Sequence, residues 1–323
     1  MPDLRIGVDL GGTKIESIVM DASGAVAGRL REDAPRDDYR ATVDAIVRHV
    51  GHWDRFAGAS LRAGIGTPGA WDPVRRAMKN CNSTWLNGRA LFDDLVAQLG
   101  ARVRLANDAN CFALSEAVDG AGAGSRVVFG VILGTGVGGG IVVDGCVRNG
   151  ANGIAGEWGH TPLPYLGRDT LAPADARRLE ALLPARRCYC GRDDCVETFL
   201  SGPGLARMHR DLWGERLDAP AIASAATERT AATMELYARF LARALAQVVN
   251  VLDPHVVVLG GGLSNVGWLY RRVPELWAGY VFTDDVTTRL VGPRHGDSGG
   301  VRGAAWLWPG REPLESAPES EGR

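Results

Sequence analysis

One histidine and three cysteines in this chain stand next to a pair of acids. Glu157-Trp158-Gly159-His160 is followed by Cys188-Tyr189-Cys190-Gly191, and then by Cys195-Val196-Glu197. One imidazole and three thiolates complete a tetrahedral zinc set with no position left open, so the Zn²⁺ expected at His160, Cys188, Cys190 and Cys195 is structural. The spacing is not that of a standard finger, yet three cysteines so close together favour a metal over chance. A metal that gathered these ligands would also draw Glu157 and Glu197 to one place, as a clamp for a polar ligand. Cys81, Cys111 and Cys146 have no such grouping and read as small apolar residues.

Other segments have the makings of anion and hydroxyl chemistry. Asp9-Leu10-Gly11-Gly12-Thr13-Lys14 forms a tight turn between two apolar runs. Its glycines let backbone N–H groups approach an anion, Thr13 adds a hydroxyl, Lys14 a charge, and Asp9 can hold Mg²⁺ directly or through water. An ordinary hairpin turn with a surface lysine fits the same residues. A Walker A loop does not, because Lys14 is followed by Ile15 and the flanks read as strands. The run from Gly134 to Gly140, with Thr135 and Gly136 at its start, is a partner turn; two such turns could grip one polyphosphate across a cleft. Gly260-Gly261-Gly262 suits close approach of an adenine or ribose, or a plain strand-to-helix turn. Asp108 stands where a strand meets a helix. It can cap that helix, or accept a proton from an attacking hydroxyl, with Asn107 beside it for a neighbouring hydroxyl. The amides and hydroxyls of the Asn80–Gly88 loop suit a neutral sugar, or a turn-rich surface.

These groups need strands that end at them and helices that begin there. Apolar runs over 4–9 and 15–20 read as strands, with a third possible over 25–30. Helical spacing at Val43, Ile46, Val47 and Val50 predicts a helix over 40–53. Strands are expected over 63–66, 103–106, 127–133, 141–143 and 256–259, and helices over 90–99, 109–118, 230–252 and 303–308. The glycine and alanine joint from Gly120 to Ser125 marks a boundary. After it, strand, glycine turn and strand recur, so the second half echoes the first. The reading is of an N-terminal small α/β domain over 1–119, a large α/β domain over 120–300 with the zinc loop at 157–197, a C-terminal helix over 301–309 packing back on the small domain, and a disordered tail over 310–323.

With 323 residues, 46% of them apolar, the chain can bury a sizeable core, and a net charge of −2 does not suggest a nucleic-acid or membrane-surface partner. No apolar stretch is long enough for a membrane span, and Asp9 interrupts the first apolar run, so a cytoplasmic location is expected.

Together these residues resemble the ROK family (repressors, open reading frames, kinases). The resemblance covers roughly residues 5–309 and is carried by Asn82-Ser83-Thr84-Trp85-Leu86-Asn87-Gly88, Arg104 through Cys111, Glu157-Trp158-Gly159-His160, Cys188-Tyr189-Cys190-Gly191, and His295 through Trp306. Within the family it is nearest to fructokinases of the manno(fructo)kinase type. It implies a two-domain actin-like ATPase (ribonuclease H-like) α/β fold with the active-site cleft between domains. It further implies ATP and Mg²⁺ as cofactors, a hexose phosphorylated at its 6-hydroxyl, and a homodimer. Asp108 would be the base. Gly66, Asn82, Asn107, Glu157, His160 and Glu197 would hold the sugar, with His160 also on zinc. Asp9, Gly11, Gly12, Thr13, Lys14, Thr135, Gly136, Gly261 and Gly262 would hold the nucleotide. Asp194 stands where the family usually has Gly, and the left-handed backbone this position needs is one Asp tolerates.

Fructose, with mannose possible, is the acceptor favoured by the likeness of Trp158 and the Trp85 loop. N-acetylglucosamine or glucose on the same scaffold is the alternative. A sugar-responsive repressor is disfavoured because the glycine turn begins within the first residues of the sequence, with no helix-turn-helix ahead of it. A catalytically dead sensor is disfavoured by Asp9, Lys14 and Asp108.

Overall fold

The computed structural model describes residues 3–164 and 185–308. Of these, residues 3–108, 144–146 and 301–308 form one compact unit, and residues 109–143, 147–164 and 185–300 form another. The expected tail over 310–323 lies outside the described residues.

The first unit is built on β1 (Arg5–Leu10), β2 (Lys14–Met20), β3 (Val26–Asp33), β4 (Arg62–Thr67), a small hairpin of β5 (Ala70–Asp72) and β6 (Ala77–Lys79), and β7 (Val103–Asn107). The main sheet has the order β3-β2-β1-β4-β7. β1 and β3 run antiparallel to β2, whereas β1, β4 and β7 are mutually parallel. β1 and β4 are buried almost throughout, as strands covered on both faces must be. β3, the edge strand, alternates exposed and half-buried residues and carries Arg29, Arg31, Glu32 and Asp33, which discourages pairing with another chain. Helix α1 (Tyr39–Ala57) starts where the Asp38 side chain accepts from the Ala41 N–H and stops at left-handed Gly58. With α2 (Leu91–Leu99) it covers a core that includes Ile6, Val8, Ile46, Val50, Ile65 and Leu95.

Helix α3 (Asp108–Val118) follows β7 without a break. The second unit then adds β8 (Val127–Leu133), β9 (Val137–Val143), β10 (Cys146–Val147), β11 (Val256–Gly260) and β12 (Arg289–Val291), in the order β10-β9-β8-β11-β12. β8 and β9 form an antiparallel hairpin, and β8, β11 and β12 run parallel. The echo between the two halves is therefore one of topology: a hairpin followed by two parallel strands. The helices here are α4 (Glu197–Leu200), α5 (Gly202–Trp213), α6 (Ala219–Ser224), α7 (Glu228–Leu252) and α8 (Leu269–Trp277); α9 (Gly299–Trp306) belongs to the first unit from Val301 on. α7 starts at a Thr227/Thr230 capping box and ends at left-handed Asp253, just before Pro254. Its apolar face packs Tyr237, Phe240, Leu241 and Leu245 into the unit's core.

Several elements differ from the sequence reading. The glycine run is not all turn: only Gly134–Gly136 precede β9, and Gly138, Gly139 and Gly140 lie inside the strand. A Cβ at Gly140 would come 2.5 Å from the Ala109 carbonyl oxygen, and one at Gly130 would come 2.6 Å from the Ala113 Cβ. These glycines let α3 seat directly on β8 and β9. The same packing places the unit boundary at Asp108/Ala109, ahead of the glycine joint at 120–125. α9 begins at Gly299, four residues before Gly303, and its turn from Val301 to Ala305 lies against Gly7 and Gly64 of the first sheet. α5, α6 and α8 had no counterpart in the sequence reading. Cys146, read as a small apolar residue, is exposed. Among the described residues no helix is long and apolar enough to cross a membrane.

Candidate active site

In the first unit, strand register gathers the polar residues. Asp9 pairs with Gly66, Gly66 with Ala106, and Thr67 with Asn107. Asp9, Gly66, Asn107 and Asp108 thus stand together at the C-terminal ends of three parallel strands, where ligands of open α/β sheets bind. Burial, the nearby Asp108 carboxylate and Glu16 together push the Asp9 pKa up to about 7, with Arg31 opposing. Asn107 Nδ2 donates to the Gly69 carbonyl at 3.4 Å. The Gly11 N–H donates to the Lys14 carbonyl at 2.9 Å and closes the turn, leaving Gly12, Thr13 and Lys14 exposed.

The Asn80–Gly88 loop lies beside this turn. A Cβ at Gly12 would sit 3.6 Å from Ser83 Oγ. Burial, aided by the Asp108 charge, raises the Cys81 thiol to about 12, which places the loop's base in the field of that carboxylate. Asn87 fixes the loop, accepting from the Cys81 N–H at 2.9 Å and donating to the Cys81 carbonyl at 3.0 Å. Asn82 is exposed on it. Trp85 is not offered to a ligand: its Nε1 donates to Thr42 Oγ1 at 3.2 Å and its ring packs on the core.

In the second unit, two glycine segments share one sheet end. Gly260 pairs with Ile132, so β8 and β11 finish side by side. The Gly134 N–H donates to the Gly136 carbonyl at 3.0 Å, and the Gly202 N–H to the Gly134 carbonyl at 2.8 Å. Thr135 is exposed at the tip. Gly261 has φ 77°, and a Cβ there would meet the Leu133 oxygen at 2.5 Å, so only glycine serves. Gly262 opens onto free space.

The ligand atoms of His160, Cys188, Cys190 and Cys195 all lie within 4.8 Å of one another. Cys188 Sγ is 3.6 Å from His160 Nδ1, and Cys190 Sγ is 3.6 Å from Cys195 Sγ. A tetrahedral Zn²⁺ with bonds of about 2.1–2.3 Å has edges of about 3.6–3.8 Å, so the four residues fit that ion. Backbone bonds hold the loop: the Cys188 N–H donates to the Arg192 carbonyl and the Val196 N–H to the Thr161 carbonyl, both at 2.9 Å. Asp194 does take the left-handed conformation, with φ 55°. Although burial opposes it, hydrogen bonds from the Arg192 backbone and side chain and from Cys188 and Cys195 bring the Cys190 thiol down to about 6.

Tyr189, between two of the thiols, is a residue the sequence reading passed over. Its hydroxyl is 2.9 Å from His160 Nε2, and the two rings meet edge to face at 5.1 Å. With Nδ1 on a metal held by the thiols, Nε2 would carry the proton and donate to that hydroxyl. The ring is largely exposed, but its hydroxyl end sits where lost hydration and the Glu197 and Glu157 carboxylates push its pKa to about 12. Glu157, His160, Tyr189 and Glu197 are thereby neighbours. The available signal was the Cys-x-Cys spacing itself, which holds the middle residue at the cluster. Trp158 is absent from this group: it is buried, its Nε1 donates to the Gly138 carbonyl at 2.9 Å, and its ring meets Phe129 edge on. Glu197 is only partly available to a ligand, since its Oε2 accepts from the Val137 N–H at 2.8 Å.

The sequence from residue 5 to 311 matches the ROK family model. The chain belongs to the ROK family. An N-acetyl-D-glucosamine kinase of Photobacterium profundum is 41% identical over 304 residues, covering 93% of this chain and 98% of that protein. Among solved structures, the ROK hexokinase of Thermus thermophilus superposes with a TM-score of 0.79 at 28% identity, covering 94% of this chain and 97% of its own. A ROK family glucokinase of Streptomyces griseus in complex with glucose and AMPPNP gives 0.72 at 27% identity, covering 94% and 98%. The fold is the two-domain actin-like ATPase fold of ROK kinases.

Proposed function

We propose that this ATP-dependent sugar kinase transfers the γ-phosphoryl group of MgATP to the 6-hydroxyl of a hexose, and that the hexose is N-acetyl-D-glucosamine. The observation that carries the reaction is the placement of Asp9, Asn107 and Asp108 at the ends of adjacent parallel strands. Asp108 accepts the proton of the attacking hydroxyl as that oxygen attacks phosphorus. Asn107 orients a neighbouring hydroxyl. Asp9 would hold Mg²⁺, which when bound neutralises phosphate charge. Gly11 through Lys14 and Thr135, Gly136, Gly261 and Gly262 present backbone and side-chain donors to the nucleotide. The His160, Cys188, Cys190 and Cys195 set would hold a structural Zn²⁺, and it keeps Glu157 and His160 together for sugar hydroxyls.

The choice of acceptor is supported by the nearly full-length likeness to relatives named N-acetyl-D-glucosamine kinase. Fructose, favoured from the sequence, loses the support of Trp85 and Trp158, because both are engaged in packing. It remains the second reading on one observation: the Cys188-Tyr189-Cys190-Gly191 segment that carried the fructokinase likeness brings Tyr189 into the His160 group. A coupled assay with MgATP and N-acetylglucosamine, glucose, fructose and mannose tests both. N-acetylglucosamine should lead by at least about tenfold in kcat/KM. A lead for fructose would replace the acceptor, and failure to phosphorylate any hexose would end the kinase reading.

A further inference from the structure

Glu197 follows the last thiol of the cluster by two residues and touches the turn that precedes β9. Its Oε2 accepts from the Val137 N–H at 2.8 Å, and a Cβ on Gly136 would stand 2.7 Å from the same oxygen. Glu197 opens α4, which leads directly to Gly202, whose N–H donates to the Gly134 carbonyl at 2.8 Å. The stretch from Cys195 to Gly202 therefore grips the turn on both sides of Thr135. The same stretch is anchored at the cluster: Thr198 donates to the Cys195 carbonyl through its N–H at 2.8 Å and its Oγ1 at 2.7 Å. A carboxylate beside a turn that receives phosphates is electrostatically unfavourable toward the ligand. Its presence here is explained by the hydrogen bond it makes to the backbone.

We propose that Glu197 is a positioning residue through which the His160, Cys188, Cys190 and Cys195 cluster sets the Thr135–Gly136 turn, so that affinity for a nucleoside polyphosphate depends on the integrity of the cluster. The proposal rests on reading that turn as part of the nucleotide site. Loss of the cluster frees Cys195, Glu197 shifts with it, and the turn loses the acceptor that orders it.

Two variants separate the hydrogen bond from the charge. Glu197→Gln keeps a side-chain oxygen that accepts from the Val137 N–H, and Glu197→Ala removes it. ADP affinity is measured by calorimetry without sugar, with zinc content on the same samples and KM for ATP and for hexose alongside. Glu197→Ala should weaken ADP about tenfold, equivalent to about 1.4 kcal/mol, as for one hydrogen bond to a charged group. Glu197→Gln should stay within about twofold of wild type. Zinc content should be unchanged in both, and KM for hexose should rise in both, since both lose the carboxylate. Chelation of the wild type should weaken ADP by a similar factor, and chelation of Glu197→Ala should add little. Equal ADP affinity in all forms, an alanine variant no weaker than the glutamine one, or chelation without effect on ADP would overturn the proposal. Failure of the untreated wild type to bind ADP would instead overturn the nucleotide reading of the turn, and the proposal with it. Retained ADP binding without phosphorylation of any hexose would count against the kinase reading alone.

Discussion

The fold disfavours the charged form of Asp9, and removing the charge should stabilise the protein while disabling it. Burial, the Asp108 carboxylate and Glu16 raise its pKa from 3.8 to about 7. The group binds its proton more tightly folded than unfolded, so its contribution to stability is fully present below about pH 4 and is lost as pH rises to about 7. Roughly three units at 1.36 kcal/mol each make the full loss about 4 kcal/mol. Asp9→Asn has nearly the same shape and no charge to bury. Its advantage over wild type should be near zero at pH 4, widen by about 1.4 kcal/mol per pH unit, and level off above pH 7. At about 2–4 °C per kcal/mol, the gap in melting temperature at pH 8 should be of order 10 °C. Thermal melts of both proteins at pH 4.5, 6 and 8, without nucleotide or Mg²⁺, measure it. Adding MgATP should raise the melting temperature of the wild type and leave the variant nearly unmoved, and the variant should be inactive. A gap that does not change with pH, or a wild type more stable than the variant at pH 8, would refute the reasoning. Like charge at Asp9 and Asp108 would then not be a cost the fold carries for its ligand.

Asp108→Asn should cut turnover by at least about 10²-fold while hexose binding by calorimetry stays close to wild type, and a fully active variant would show that the proton goes elsewhere. Purified protein should carry zinc at about one ion per chain by elemental analysis, and Cys190→Ser should lose it along with part of the thermal stability, because three remaining ligands do not close the tetrahedron. Gly140→Ala should cost about 1–3 kcal/mol or more, read as a drop in melting temperature, since the added carbon meets the Ala109 carbonyl oxygen at 2.5 Å. Unchanged stability would mean that α3 does not rest on β9 as described.

The parts of the fold legible in the sequence are those where one local rule governs. Continuous apolar runs mark β1, β2, β8 and β11, because strands covered on both faces need nothing else. The left-handed geometry of Asp194 followed from the family's usual Gly at that position together with the tolerance of Asp for it. Long-range packing was not legible. Gly138 to Gly140 look identical to a flexible turn, and only the arrival of α3 makes them strand. Trp85 and Trp158 have the aromatic character of sugar-binding residues, but each finds its N–H partner in the scaffold, Thr42 and the Gly138 carbonyl. Cysteine spacing brought out the metal set and hid Tyr189 within it, since a residue between two ligands is read as spacer until its hydroxyl is seen at His160. α8 escaped because Pro274 lies inside it, which argues against a helix in any reading by propensity.

The two sheets share one strand plan, and what differs is the chemistry at their strand ends. In the first, Asp108 stands close enough to Asp9 to hinder its ionisation, a situation a bound cation relieves. In the second, the ends of β8 and β11 carry Thr135, Gly136, Gly261 and Gly262, residues whose backbone N–H groups and small size admit an anion. The first demand is met by a divalent cation and the second by a phosphate. The strand ends of two similarly built sheets thus have opposite electrostatic needs, one for a cation and one for an anion, on physical grounds that owe nothing to the names of relatives. Charge removal at Asp9 therefore tests the cation demand of the first sheet, and acceptor removal at Glu197 tests the anion demand of the second.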